Sequence, residues 1–169
     1  WMQKVKLETK HRMIKKLLFA LLILISFHGF SQNISLSKQA KVSILTCGTG
    51  PESYAMYGHT GIRIQDVSQQ IDVVYNYGAF DFDTPNFIGR FVKGDLQYFV
   101  TNGSYIDFYY NYQAENREII EQDLALSPAQ INQLFQQLNA SVYSDDRFYT
   151  YKFIDRNCTT MVVDKINNT

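Results

Sequence analysis

The sequence predicts an α+β domain, and three observations lead to this expectation. Residues 60–65 alternate between apolar and polar, residues 71–77 form a second β-branched segment, and a helix signal begins at Ser127. The two extended segments are separated only by residues 66–70 and are therefore expected to pair as an antiparallel hairpin. No internal repeat or proline-rich linker interrupts the chain, so we expect residues 33–169 to form one domain.

Residues 1–32 have the pattern of a secretory signal peptide with additional residues upstream. A short basic segment, 13–16, precedes the apolar run 17–27, which is too short to span a bilayer comfortably. We expect cleavage near Gln32, and a retained membrane-anchoring helix is the alternative. Export would place residues 33–169 outside the cytoplasm, where disulfides can form.

The charges are distributed unevenly along the chain. Sixteen basic and sixteen acidic residues give a net charge of zero, but six of the basic residues and only one acidic residue lie within residues 1–32. The body that follows is therefore acidic. Nucleic-acid binding depends on neutralising phosphates with lysine and arginine, so no nucleic-acid partner is expected. An acidic body remains compatible with a lipid that enters an apolar groove.

The local signals predict an ordered series of elements. In the first half we expect a strand over 42–47, a helical turn over 52–57, the hairpin strands and a loop over 80–85. In the second half we expect a strand over 96–101, a short aromatic helix capped by Ser104, an extended segment over 117–126, a helix from the Ser127 capping box to about Tyr143, a strand over 149–153 and a helix from Cys158.

Reactive residues are rare in the body. It contains one histidine, His59, and two cysteines, Cys47 and Cys158. A three-histidine zinc site is therefore excluded, and the cysteines lack the close spacing of structural zinc sites, so no metal and no other cofactor is expected. Two possibilities remain, a disulfide between the two cysteines or a catalytic pair of thiol and imidazole.

Cys158 lies where a helix is expected to begin. Free amide N–H groups and the positive end of the helix dipole favour a thiolate there, and the same N–H groups can stabilise an oxyanion. His59, at a strand edge, is in a position suited to a base, although a lone histidine is also common on a surface or in a core. Asn76 on the partner strand is the best candidate to orient the imidazole. The alternatives are Asp72, Tyr75 and Asp81.

Three segments also resemble a known family. They are LTCGTGPESYAMYGHTGIRI (45–64), VVYNYGAFDFDTPNF (73–87) and YKFIDRNCTTMVVDKI (151–166). From about Val42 to its end, the sequence closely resembles the N-terminal periplasmic domain of the Lnb-type proteins of Bacteroidetes, whose name refers to lipoprotein N-acylation. The GH pair followed by the NC pair also resembles circularly permuted papain-like folds, which include NlpC-type amidases and lecithin:retinol acyltransferase-like enzymes.

The resemblance implies that Cys158 is a nucleophile, that His59 is its base and that the cysteine-bearing helix packs on an antiparallel sheet. It further implies a periplasmic acyltransferase at the inner-membrane surface. A phospholipid would donate an acyl chain to Cys158, and the α-amino group of the diacylglyceryl-cysteine of a lipoprotein would accept it. Lnb-type proteins continue into a membrane-embedded C-terminal region, so we expect this sequence to be truncated.

Two other functions remain open at this level. One is a papain-like amidase or peptidase of the cell wall, with water as the acceptor. The other is a non-catalytic exported domain in which a Cys47–Cys158 disulfide contributes roughly 4–5 kcal/mol. For the acyltransferase we also expect the aromatic segments 80–87 and 105–112 to line an apolar groove.

Overall fold

The predicted hairpin lies at the centre of an antiparallel sheet. The computed structural model describes Lys15 and residues 34–169, of which residues 35–169 form one compact unit. Within residues 34–169 six strands form one sheet in the order β5-β1-β2-β3-β4-β6, accompanied by four α-helices, which confirms the α+β class. The strands are β1 (Lys41–Cys47), β2 (His59–Asp66), β3 (Ile71–Phe80), β4 (Gln97–Ser104), β5 (Ile119–Asp123) and β6 (Phe148–Thr150). The helices are α1 (Phe87–Lys93), α2 (Tyr105–Ala114), α3 (Pro128–Tyr143) and α4 (Cys158–Asn167). The predicted signal peptide, apart from Lys15, lies outside the described residues.

Helices cover both faces of the sheet. On one face Ile62 and Ile64 are fully buried in the larger core, which also contains the apolar stripe of α3 and Val162 of α4. On the other face Leu45, Cys47 and Val74 form a smaller core beneath the aromatic residues of α2. The alternation of side chains along a strand explains this division, since neighbouring residues of β2 point to opposite faces.

The helix starts agree with the capping signals in the sequence. The Ser104 hydroxyl accepts a hydrogen bond from the Asp107 amide at the start of α2, and Ser127 and Gln130 form the predicted capping box of α3. Asn157 and Thr160 form a second capping box at the start of α4, so this helix begins at Cys158 as expected. No helix in the described part of the chain is long and apolar enough to cross a membrane.

Three local expectations need correction. Strand β3 does not end at Tyr77 but continues through a bulge near Gly78 to Phe80, which places Phe80 in the sheet rather than in a loop. Strand β6 ends at Thr150 instead of reaching Phe153, because its partner strand β4 begins at Gln97, directly opposite Thr150. Helix α1 was not predicted, although Gly94 in the left-handed conformation after Arg90 and Lys93 is a typical helix end.

Candidate active site

The strand pairing brings His59 and Asn76 together. Asn76 lies opposite Gly61 on the neighbouring strand, on the same face as His59, and its Oδ1 lies 3.1 Å from His59 Nε2. A carbonyl oxygen can only accept, so Nε2 carries the ring proton and Nδ1 is the nitrogen left for another partner. Asn76 therefore fixes both the orientation and the tautomer of the imidazole.

That other partner is Cys158, the first residue of α4, whose thiol is hydrogen-bonded to the His59 side chain. Helix α4 is held at the start of β2 by a hydrogen bond between the hydroxyl groups of Thr60 and Thr159, 2.9 Å apart. Each threonine directly follows a reactive residue in the sequence: Thr60 follows His59, and Thr159 follows Cys158. This contact holds the Cys158 thiol next to the His59 imidazole at the start of β2.

The surroundings of Cys158 favour its ionised form. Burial alone would raise the pKa of the thiol, but the hydrogen bond and charge of His59, the Thr60 amide and the Thr159 hydroxyl lower it to about 7. The amide groups at the start of α4 have no intrahelical acceptor and stabilise negative charge in the same region. A substantial fraction of Cys158 is therefore thiolate at neutral pH.

Two glycines allow this arrangement. Gly58, with φ of +71°, precedes His59, and a Cβ there would lie 2.5 Å from the Cys47 carbonyl oxygen. Gly78 lies beside both reactive side chains, because a Cβ there would be 3.6 Å from His59 Cε1 and 3.9 Å from Cys158 Cβ. With φ of +126°, Gly78 also has a backbone conformation that other residues rarely adopt.

Cys47 does not form a disulfide with Cys158. Both thiols are free, so the disulfide considered as an alternative is absent from this structure. Cys47 is 3% exposed and packs in the smaller core under α2, whereas Cys158 opens α4 at the site. Burial raises the pKa of Cys47 to about 11, despite a hydrogen bond with Tyr112 and the charge of Arg117.

The alternative orienting residues are engaged elsewhere. Asp72 binds the Arg63 guanidinium with two hydrogen bonds of 2.8 and 2.7 Å. The Tyr75 hydroxyl donates to Asn139 Oδ1 on α3, 2.8 Å away, and Asp81 accepts from the Asp83 amide at 2.9 Å. Of the four candidates considered from sequence, Asn76 is the one that the structure places on the imidazole.

A cleft of about 500 Å³ opens above Cys158 and His59. Seven of its fifteen lining residues are tyrosine or phenylalanine, and among the described residues that line it there is no lysine, arginine, aspartate or glutamate. The aromatic lining consists of Tyr54, Tyr57, Phe80, Phe91, Tyr98, Tyr151 and Phe153. The cleft can therefore hold an uncharged, extended apolar group next to the thiol.

The predicted aromatic lining was right only in part. Of the segments 80–87 and 105–112, only Phe80 borders this cleft. Phe82, Phe108 and Tyr112 border a second cleft of about 370 Å³ on the Asn76 side of His59. The aromatic residues that the sequence reasoning missed come from 53–57, 91, 98 and 151–153, which are distant in sequence, so no local pattern could have grouped them.

Among the residues that the structure describes, no group of three or more His, Cys, Asp and Glu side chains is placed to hold a metal ion. The reactive groups of the site are a thiol, an imidazole and a carboxamide.

A thiol at a helix start, an imidazole on the adjacent strand and a carboxamide behind it define a candidate cysteine-nucleophile site on an α+β domain. The chain belongs to the Lnb N-terminal periplasmic domain family, whose model matches residues 27–169. Comparisons with curated proteins and with solved structures gave no match. The family assignment therefore rests on the sequence as a whole and agrees with the resemblance carried by the GH and NC segments.

Proposed function

We propose that this domain is a periplasmic thiol acyltransferase that moves a fatty acyl chain from a phospholipid, through a thioester on Cys158, to the amino terminus of a lipoprotein. The observation that carries the proposal is the ionisable Cys158, paired with His59, at the floor of an uncharged aromatic cleft. Its permuted papain-like arrangement, with the base before the nucleophile in the chain, is part of the proposal.

In the first half-reaction the Cys158 thiol loses its proton to His59 Nδ1, and Sγ attacks the ester carbonyl carbon of the phospholipid. The amide groups at the start of α4 stabilise the resulting oxyanion. The bond from the carbonyl carbon to the glycerol oxygen then breaks. The leaving oxygen takes the proton from the imidazolium, which releases a lysophospholipid and leaves the acyl chain on Cys158.

In the second half-reaction the α-amino group of the diacylglyceryl-cysteine attacks the thioester carbon. His59 accepts the proton that the amine loses as the C–N bond forms. The C–S bond breaks, the Cys158 thiolate leaves, and the proton returns to it from His59. Asn76 holds the imidazole in one tautomer through both steps, which is the role of the third group in such sites.

The cleft favours an acyl chain over the substrate of a cell-wall amidase. Cell-wall peptides carry carboxylate and amino groups, and a site that binds them needs charged or strongly polar partners. The wall of this cleft offers tyrosine and phenylalanine rings with a few hydroxyl and amide groups, and no charged side chain among its described residues. The aromatic rings beside Cys158 also limit the access of water to the thioester, which favours transfer over hydrolysis.

The test is intact mass spectrometry after incubation with phospholipid vesicles. Wild type is expected to gain a fatty-acyl mass that hydroxylamine removes, and Cys158→Ser is expected to gain none. His59→Ala is expected to lower the rate of acylation by roughly 10²–10⁴-fold, since it removes the base. Cys47→Ser is the matched cysteine control and is expected to acylate normally. An acyl adduct that persists in Cys158→Ser contradicts the proposal.

The acceptor is tested separately with a diacylglyceryl-cysteine peptide. Transfer of the acyl group to the peptide amine is expected, with hydrolysis a minor product. If the acylated enzyme releases only free fatty acid, or cleaves a cell-wall peptide instead, the amidase or hydrolase alternative replaces the transferase.

A further inference from the structure

Large apolar side chains are exposed around the mouth of the aromatic cleft. Soluble proteins rarely gather such residues on one continuous face without a partner. These side chains belong to four segments: the 53–57 turn, the 81–86 loop, helix α1 and the 152–156 loop. Its most exposed members are Tyr57 at 83%, Ile154 at 82%, Val92 at 74%, Ile88 at 69%, Phe82 at 60% and Met56 at 55%.

Contacts between aromatic rings show that these segments adjoin one another. The Tyr54 ring lies 5.7 Å from Phe82, and Phe82 lies 5.1 Å from Phe87 of α1. At the other end of α1, Phe91 lies 6.1 Å from Phe153. Phe87 and Phe91 pack against the larger core, whereas the residues that follow them, Ile88 and Val92, are exposed, as are Phe153 and Ile154 in the neighbouring loop. We call the outer surface of α1 and of residues 152–156 the docking face.

The docking face itself carries more cations than carboxylates, although the body is acidic. Four of the ten lysines and arginines of residues 33–169 lie in these two short segments, against a single acidic residue, Asp155. All four are exposed: Arg90, Lys93, Lys152 and Arg156. Asp95 pairs with Lys93 at 3.5 Å, and Asp81 and Asp83 lie in the adjoining loop.

The 152–156 loop has the form of a closed hairpin tip. Backbone hydrogen bonds of 3.1 and 3.2 Å join Lys152 and Arg156 in both directions. The Asn157 side chain donates to the carbonyl groups of Phe153 and Ile154, at 2.9 and 3.3 Å, and so ties this tip to the start of α4. Ile154 therefore projects from a constrained loop between two cations, a few residues from the reactive cysteine.

We propose that the docking face binds an anionic phospholipid surface, with Ile88, Val92 and Ile154 entering the lipid and the four cations contacting the headgroups. Apolar residues flanked by lysine and arginine are the pattern of interfacial membrane binding. The four cations gathered on this face of an acidic body can contact an anionic surface, and binding there turns the mouth of the cleft toward the lipid. The inference rests on the proposed function in that the acyl donor then enters the cleft from the bilayer.

The test places a tryptophan at the tip of the docking face and measures its quenching by lipid. In the protein without its predicted leader, residues 33–169, which contain no tryptophan, Ile154→Trp is compared with Val67→Trp, which occupies another highly exposed position, 77%, at the far end of β2. The vesicles are brominated phosphatidylcholine with about one quarter phosphatidylglycerol, whose negative surface attracts basic residues. We expect a blue shift and quenching for Ile154→Trp alone, weaker at high salt or without phosphatidylglycerol.

Three results would overturn the docking face. One is equal quenching at both positions, which would assign binding to another part of the chain. A second is no quenching at Ile154→Trp. The third is a concentration-dependent dimer that Ile154→Glu dissolves, which would make a second copy of the chain the occupant of this face.

A second comparison keeps this inference separate from the proposed function. Val92→Glu is expected to slow acylation from vesicles by roughly tenfold or more, as expected for losing one buried apolar side chain, while Val67→Glu has no such effect. Both variants are expected to react normally with a water-soluble short-chain ester. If wild type forms no acyl-enzyme from either donor, the proposed function fails. The quenching experiment still shows whether the docking face binds lipid.

Discussion

At the scale of single residues, the two cysteines differ in ionisation because of their surroundings. Cys47 is buried among apolar side chains, and its thiol remains protonated at neutral pH because burial raises its pKa to about 11. Cys158 is also partly buried, but the imidazole, an amide and a hydroxyl lower its pKa to about 7. The same residue type thus serves as core packing in one place and as a candidate nucleophile in another.

This difference predicts selective alkylation. Since only the thiolate reacts, labelling of Cys158 by iodoacetamide is expected to rise with pH, reach half its maximum near pH 7 and level off above it. Cys47 is expected to stay unlabelled over this range. His59→Ala removes the strongest influence that lowers the pKa of Cys158, so the midpoint is expected to move to higher pH. Peptide mapping measures both sites, and comparable labelling of the two cysteines at pH 7 would contradict the assignment.

At the scale of elements, the start of α4 determines where the thiol lies. The Asn157 side chain accepts from the Thr160 amide at 3.0 Å and holds the 152–156 loop through two carbonyl groups. Thr60 and Thr159 then fix the helix to β2. The cap, the loop and the strand therefore act together on one residue, Cys158.

The cap gives a matched pair of variants. Asn157→Ala and Ser127→Ala each remove an N-cap side chain and are expected to cost about 1 kcal/mol in the free energy of unfolding, measured in urea. Only Asn157→Ala is expected to raise the alkylation pKa of Cys158 and slow acylation, because only that cap positions the thiol. If both variants lose acylation equally, Asn157 contributes only to the stability of the fold and does not position the thiol.

At the scale of the whole molecule, Asp66 joins the segment before β1 to the turn of the central hairpin. Its carboxylate is fully buried and accepts from the Ser37 amide at 2.6 Å and from the Ser68 hydroxyl at 2.7 Å. The hydrogen bonds from Ser68, opposed by burial and aided by those from Ser37, lower the pKa of Asp66 below its usual range.

A lowered pKa makes this contribution dependent on pH. The stabilisation by the Asp66 carboxylate is complete above the pKa of the unfolded chain, about 4, and is lost as the pH falls through the lower pKa of the folded chain. Asp66→Asn is therefore expected to lower the urea midpoint at pH 7, and the difference from wild type is expected to narrow below about pH 4. If the urea midpoints of Asp66→Asn and wild type differ by the same amount at pH 7 and below about pH 4, the charge of the carboxylate contributes nothing to stability.

Much of the fold could be predicted because its signals are local. The alternating Ile62 and Ile64, the Ser127 capping box and the helix start at Cys158 depend on neighbours in the sequence, and the structure has them in those places. The end of β6 and the bulge at Gly78 could not be predicted in this way, because each depends on where the neighbouring strand begins or shifts.

For the candidate site, the residues with reactive side chains could be identified from the sequence alone. The body has one histidine and two cysteines, and a helix is expected to begin at only one of those cysteines. The tertiary structure decided which groups meet. It left Cys47 free in a core, chose Asn76 over three alternatives to hold His59, and assembled an uncharged aromatic cleft from separate segments. The physical reason is that residue chemistry and helix capping are local properties, whereas a shared cleft and a lowered pKa arise from strand register and packing between distant parts of the chain.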